Sequence, residues 1–326
     1  MRLCQSAPIH NRWMKSYLSA RMAVLAVGLG VLGGCGGGNG TSSLSTPSGG
    51  GTLIFSKSPV PVVGDPESDL ELYSSDSAGR NERRLTTNTA QDRQPSVSRD
   101  GRVIVWQSMP QGGNPEVHIM NGDATNPRRL TPNGQFPTVS PDGKLVAFVQ
   151  TPFIFIIKAD GSGFRRFDAP QFQRFFIAQP ISFKSDGKRI AFVDETDNEP
   201  GIYTVAPDGS GLKAVALSSP ERKYLGGVSY GPNDEIVSGV RLRSNNSPNQ
   251  FGLYIVREDG TGGRTIPLGA ERPSGPVWSP NGKQIAYDEY PFTDNPARAT
   301  GIIIRNADGF ARRVINEGGI EPTWGE

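Results

Sequence analysis

Few residues of this chain have both the type and the company needed for covalent chemistry. It has 326 residues and two histidines, His10 and His118. A Ser-His-Asp triad in the body of the chain would have to use His118. That residue lies in Glu116-Val117-His118-Ile119-Met120, which reads as a strand. A packed or rim histidine is therefore the reading we adopt for it. No His-Glu-x-x-His or Cys-x-x-Cys occurs, so the common metalloprotease and dithiol signatures are missing. Paired carboxylates need no histidine to hydrolyse a glycoside. The candidates for them are three acidic loops: Asp65-Pro66-Glu67-Ser68-Asp69, the 194–199 segment, and Asp288-Glu289. Solvated hairpin loops are the competing reading. A weak calcium candidate is Asp194, Glu195 and Asp197. These supply several oxygens but lack the spacing of an EF-hand loop. We expect no cofactor.

The two cysteines, Cys4 and Cys35, stand near the start. Arg2, Arg12, Lys15 and Arg21 precede an apolar run from Met22 to Leu32, and Leu32-Gly33-Gly34-Cys35 follows. A basic region, a short apolar run and small residues before a cut make an export signal. The run is well short of the roughly 20 residues of a membrane span. Met14-Lys15 offers a second possible start. Residues 1–34 are thus expected to be a signal peptide, and 35–51 a Gly/Ser-rich tether with a reach of about 20–25 Å. Loss of residues 1–34 removes four basic residues and no acid, leaving 30 Lys+Arg against 32 Asp+Glu and a net charge of −2. Nucleic acid is not an expected partner.

Residues 52–326 are one unit copied several times, with copies opening at Pro95, Pro137, Pro180, Gly227 and Pro276, 42 to 49 residues apart. That spacing suits four-stranded propeller blades. Within each copy, Ser140-Pro141-Asp142-Gly143 and Ser279-Pro280-Asn281-Gly282 read as tight turns, as do the Asp-Gly pairs at 160, 208, 259 and 308. The opening proline is expected at a strand's first residue. Second strands such as Leu145-Val146-Ala147-Phe148 are continuously apolar, which implies burial on both faces. At the start, Leu53-Ile54-Phe55, Leu70-Glu71-Leu72-Tyr73 and Arg83-Arg84-Leu85-Thr86 supply three strands of a unit whose first strand is missing. Glu321-Pro322-Thr323-Trp324 supplies it from the other end. The expected fold is all-β, a six-bladed propeller whose last blade is closed by N- and C-terminal strands.

The pattern Pro-x-x-Ser-Pro-Asp-Gly-Lys-x-x-Ala-Phe at Pro137 to Phe148, with Ile202-Tyr203, Asp208-Gly209 and Leu212, resembles the TolB-type β-propeller repeat family over nearly all of 52–326. The resemblance implies a bacterial envelope propeller that binds proteins or small ligands. It lacks the α/β domain that precedes the propeller in TolB. The family's repeat also decorates peptidases and sugar lyases. Lyases acting on oligogalacturonate use several histidines around a metal, which this chain does not supply. The Gly-Gly-Cys site resembles a bacterial lipobox, implying lipid on Cys35. Gly36 after it leans towards the outer membrane, facing the periplasm or the cell surface.

From these readings the expected function is a non-enzymatic envelope lipoprotein that binds a protein or peptide partner, attached to the membrane through its lipid only. The alternatives are a carbohydrate-binding or carbohydrate-cleaving propeller using acidic loop residues, and a structural element of a surface assembly. The expected ligand face carries the long connections. Its candidates are Phe172, Arg174 and Phe175 between blades, with Tyr224, Tyr290 and Phe292 on loops of the same face. Aromatics and Arg are enriched at binding hot spots. The phenylalanines packing beneath the loop, or plugging the channel, is the competing reading.

Overall fold

The computed structural model describes residues 51–59, 69–167, 177, 180–196, 199–244, 247–291 and 301–325. These form 24 strands and no helix. The first blade contains β1 (Thr52–Lys57), β2 (Glu71–Asp76) and β3 (Arg83–Arg84). The second contains β4 (Gln91–Val97), β5 (Val103–Met109), β6 (Glu116–Asn121) and β7 (Arg128–Thr131), and the third β8 (Gln135–Val139), β9 (Leu145–Gln150), β10 (Phe153–Lys158) and β11 (Arg165–Arg166). The fourth is β12 (Ser182–Phe183), β13 (Ile190–Asp194), β14 (Gly201–Val205) and β15 (Lys213–Leu217). The fifth is β16 (Arg222–Tyr230), β17 (Glu235–Ser244), β18 (Ser247–Arg257) and β19 (Arg264–Gly269). The sixth is β20 (Glu271–Trp278), β21 (Gln284–Pro291), β22 (Ile302–Asn306) and β23 (Arg313–Asn316). The last strand, β24 (Gly319–Gly325), does not begin a seventh blade. It pairs antiparallel with β1, Leu53 opposite Trp324 and Ile54 opposite Thr323, and completes the first sheet in the order β24-β1-β2-β3. The six-bladed ring closed from both termini is as the repeats predict.

The blades form because each copy supplies two self-sufficient turns. Ser140 Oγ donates to Asp142 at 2.7 Å and accepts the Leu145 N–H at 2.9 Å, so one short segment satisfies its own polar groups while the chain reverses. Ser98 with Asp100, and Ser279 with Asn281, repeat the arrangement in blades two and six. The core is divided into six apolar clusters, one at each junction between neighbouring blades. This explains the continuously apolar second strands. In β13, Phe192 packs towards the third blade while Ala191 and Val193 pack towards the fifth. At the closing junction Ala286, Ile302 and Ile304 of the sixth blade meet Leu53, Phe55 and Tyr73 of the first.

A second, polar set of links runs around the outer rim. In five of the six blades a basic residue of the outer strand reaches the carbonyl of the next blade's outer turn: Arg83 to Asp123 at 2.7 Å, Lys213 to Glu258 and Arg313 to Ser77 at 3.2 Å each. Arg128 donates to the Ala159 carbonyl and Arg165 to that of Pro207. Between the fifth and sixth blades the equivalent residue, Arg264, instead pairs with Glu235 of its own blade.

The opening prolines are not at strand starts. Pro95, Pro137, Pro276 and Pro322 lie inside the innermost strands, where the register with the second strand slips. The residues before them, Gln94, Phe136, Gly275 and Glu321, have φ of +52°, +51°, +51° and +55°. The slip is a β-bulge, and an innermost strand has one edge free, so a proline without an N–H costs the ladder nothing there.

Candidate functional site

The innermost strands β4, β8, β12, β16, β20 and β24 surround a central channel of about 260 Å³. Three tiers of side chains line it. At the mouth, on the side of the long connections, stand the left-handed residues Gln94, Phe136, Gly275 and Glu321. Below them lies a ring of hydroxyls: Ser96, Thr138, Ser182, Ser229 and Thr323, with Val277 in the sixth place. The hydroxyls join blades, for Ser96 accepts the Val139 N–H at 3.2 Å, Ser182 that of Tyr230 at 3.1 Å and Ser229 that of Trp278 at 3.4 Å. Lower still are bulky side chains, among them Phe183, Tyr230 and Trp278.

The mouth's charge is organised by Glu321. Arg93 of the second blade donates to its Oε1 at 3.0 Å, the Gln94 N–H to its Oε2 at 2.9 Å and Ser56 Oγ to Oε2 at 3.3 Å. One side chain of the closing strand thereby ties the first blade to the second. The positive φ of residue 321 aims it there, and nothing in the residue types alone signals this.

Of the residues expected to bind, Phe172, Arg174, Phe175 and Phe292 lie outside the described residues, as do Cys35 and Asp197. Tyr224 is not on a loop. It sits in β16, is 2% exposed, and packs edge-on against Tyr254 with ring centroids 5.8 Å apart. Arg222 lies over both rings. Burial pushes the Tyr224 hydroxyl well above its ordinary pKa. Its aromatic body fills a junction, which is why a strand claims it. Tyr290 is half-buried in β21, opposite Arg272.

The acids are also placed differently from expectation. Asp288 and Glu289 are strand residues of β21, buried on opposite faces of one sheet rather than in a loop. Asp194 ends β13, is buried, and accepts the Thr196 N–H at 3.1 Å and hydroxyl at 2.6 Å. It serves its own turn, two blades from Asp288. Asp65 to Ser68 lie outside the described residues. No group of three or more metal-binding side chains occurs among the described residues. His118 is in β6, the third strand outward from the channel. Its Nε2 lies 2.9 Å from Glu116, and its ring is 5.4 Å from that of Trp106. The hydrogen bond to His118, with help from Arg129, holds the Glu116 carboxyl below the usual range.

A ring of six four-stranded blades around a narrow channel, sealed by strands from both ends of the chain, defines a closed six-bladed β-propeller. TolB from Acinetobacter baumannii superposes with a TM-score of 0.67 at 18% identity, over 85% of this chain and 67% of that one. The putative TolB from Agrobacterium tumefaciens gives 0.60 at 18% identity, over 83% and 90%. A chain of the nidogen/laminin complex gives 0.59 at 12% identity, over 84% and 98%. No protein-family profile matches the chain. At these identities the likeness is one of fold, and fold alone does not settle whether a propeller catalyses a reaction.

Proposed function

We propose that this protein is a cell-envelope propeller that holds a protein or peptide partner on the face of its long connections, around the channel mouth, and performs no chemistry of its own. Residues 1–34 direct export, and Cys35 carries the lipid that fixes the domain to a membrane, on the periplasmic or outer surface of the outer membrane. The observation that carries the reading is the mouth itself. It is a rigid, backbone-built rim at the top of the channel, with bulges that turn residues 94, 136, 275 and 321 inward. The long connections lead into this rim, and binding residues on rigid scaffolds concentrate in connecting segments. The position of His118, engaged by Glu116 two strands away from the channel wall, supports the non-enzymatic part. So does the separation of Asp194 from Asp288 and Glu289, which leaves no facing pair of free carboxylates among them. Crystallisation of a similarly folded chain in the nidogen/laminin complex is consistent with a protein ligand.

The test is capture of partners from detergent-solubilised envelope by the full chain, against a variant with Phe172→Ala, Arg174→Ala and Phe175→Ala. Loss of three hot-spot side chains should reduce capture at least a hundredfold, at about 1–2 kcal/mol or more each, while thermal unfolding stays unchanged. Undiminished capture by the variant would remove the 172–175 segment from the binding face.

A further inference from the structure

The sixth blade contains two buried carboxyl groups, Asp288 and Glu289. Asp288 and Ala286 share one face of β21, and Ala286 packs on the first blade. Asp288 thus enters the junction that the closing strand seals. It is 1% exposed, and neither oxygen makes a regular hydrogen bond. Gly275 stands between it and the channel, its missing Cβ position 3.4 Å from Oδ1. Several groups face Asp288. From β24 come the carboxylate and backbone N–H of Glu321, and from β21 its own N–H and the Tyr290 hydroxyl. Ser274 lies opposite on β20 and Ile302 on β22. Glu321 is itself held by Arg93, the Gln94 N–H and Ser56, an arrangement that suits a carboxylate. Burial first, and the Glu321 charge second, push the Asp288 carboxyl up to about 7, with the two N–H groups and Tyr290 offsetting part of this.

At this junction the hydroxyl ring is incomplete. Val277 interrupts the hydroxyl ring in the sixth blade. The blade's other face repeats the theme, because Glu289, on the side of Tyr287 and the fifth blade, is fully buried. Its charged neighbours are Arg312, which donates to it, and Glu271. Burial, with Glu271, raises Glu289 to about 7 against the pull of Arg312. That second junction lacks the basic rim link, since Arg264 turns to Glu235.

We propose that the sixth blade is a proton-operated latch: a protonated Asp288 seats the blade against the closing strand, and loss of that proton places two carboxylates face to face and loosens the seam between the sixth and first blades. Neither Asp288 oxygen is open to solvent, so exchange of its proton with water requires the covering wall to move aside. The step is the departure of the carboxyl proton to water, leaving Asp288 charged beside Glu321. The latch lies directly behind the channel mouth, so the rim at Gly275 and Glu321 loosens with it.

The sign follows from linkage. An unfolded aspartate titrates near about 3.9. A group raised to about 7 in the fold keeps its proton longer there than in the unfolded chain. Its share of the folding equilibrium therefore declines about tenfold per pH unit between roughly pH 4 and 7, and is level above that. The local test is amide hydrogen exchange on the full chain at pH 6 and pH 8, corrected for intrinsic rates. Amides of β24 and β1 should lose protection at least threefold at the higher pH, while those of β9 and β10 keep theirs. In Asp288→Asn, which has the same shape and no charge to acquire, the loss should vanish. Asp288→Ser carries the same test if the Asn variant does not fold. Protection of β24 that is indifferent to pH in the unmodified chain overturns the proposal, as does a neutral variant that retains the full loss.

Discussion

Deletion of residues 319–326 is expected to abolish cooperative unfolding of the whole domain above about 25 °C. The deletion removes one strand of 24, yet that strand has three separate jobs. It covers β1, whose Leu53, Ile54 and Phe55 are completely buried. It contributes Ile320 and Trp324, the latter packed into the cluster between the sixth and first blades. It supplies Glu321, which holds Arg93 and the Gln94 N–H of the second blade. A buried large apolar side chain is worth about 1.5–3 kcal/mol, and a hydrogen bond to a charged group about 1.5–3 kcal/mol. One such side chain, the partly buried Trp324 and three such bonds already approach the roughly 5–15 kcal/mol by which a folded domain exceeds its unfolded state. The opened ring would also expose the inner faces of the first and sixth blades. Near-ultraviolet circular dichroism and calorimetry read the outcome. A truncated chain melting within about 5 °C of the full one would mean that the ring does not depend on its seal.

Replacement of Phe192 by Ala should cost about 3–5 kcal/mol, the range for a large aromatic removed from a close-packed interior. Phe192 has no exposed surface and belongs to the cluster joining the third and fourth blades, with Ile154 and Ile156 across the junction. Its ring stacks on Tyr203 with centroids 5.8 Å apart. The surrounding strands are fixed by hydrogen bonds on both sides, so they have little freedom to fill the void. Phe310→Ala is the matched control. That side chain is 73% exposed on an outer turn, and its loss should move stability by less than about 0.5 kcal/mol. Urea unfolding of the two variants gives the comparison directly. A Phe192→Ala cost under about 1 kcal/mol would deny the blade junctions their role as the core.

The number of blades and the way the ring closes can be read from the residues because they rest on local chemistry. Asp-Gly and Ser-Pro-Asp-Gly turns and doubly buried strands each occur within a few residues, so one copy identifies the others. The missing strand of the first unit and the surplus strand at Glu321 to Trp324 complement each other by arithmetic. Features that depend on neighbours across a junction are harder to see. Tyr224 has the composition of a loop hot spot, and only the approach of Tyr254 and Arg222 shows that it is covered. Asp288-Glu289 looks like a solvated acidic pair, yet β21 extends past the point where apolar residues end and carries both into the interior. The prolines were expected at strand starts, and a bulge places them inside strands, because a left-handed residue before proline leaves no clear mark in composition. The paired arginines at 83–84 and 128–129 mark fourth strands by sequence, while their grip on the next blade follows from the curvature of the ring.

The most direct measurement is disulfide trapping across the seal, in a Cys4→Ser, Cys35→Ser background carrying Ile54→Cys and Thr323→Cys. These positions face each other on β1 and β24, and opposed residues of an antiparallel pair lie about 4.5–5.5 Å apart, within reach of a disulfide. Under native conditions the 54–323 bond should form rapidly and nearly completely, and much faster than in denaturant. Formation no faster in the native chain than in the denatured one would contradict the closed ring.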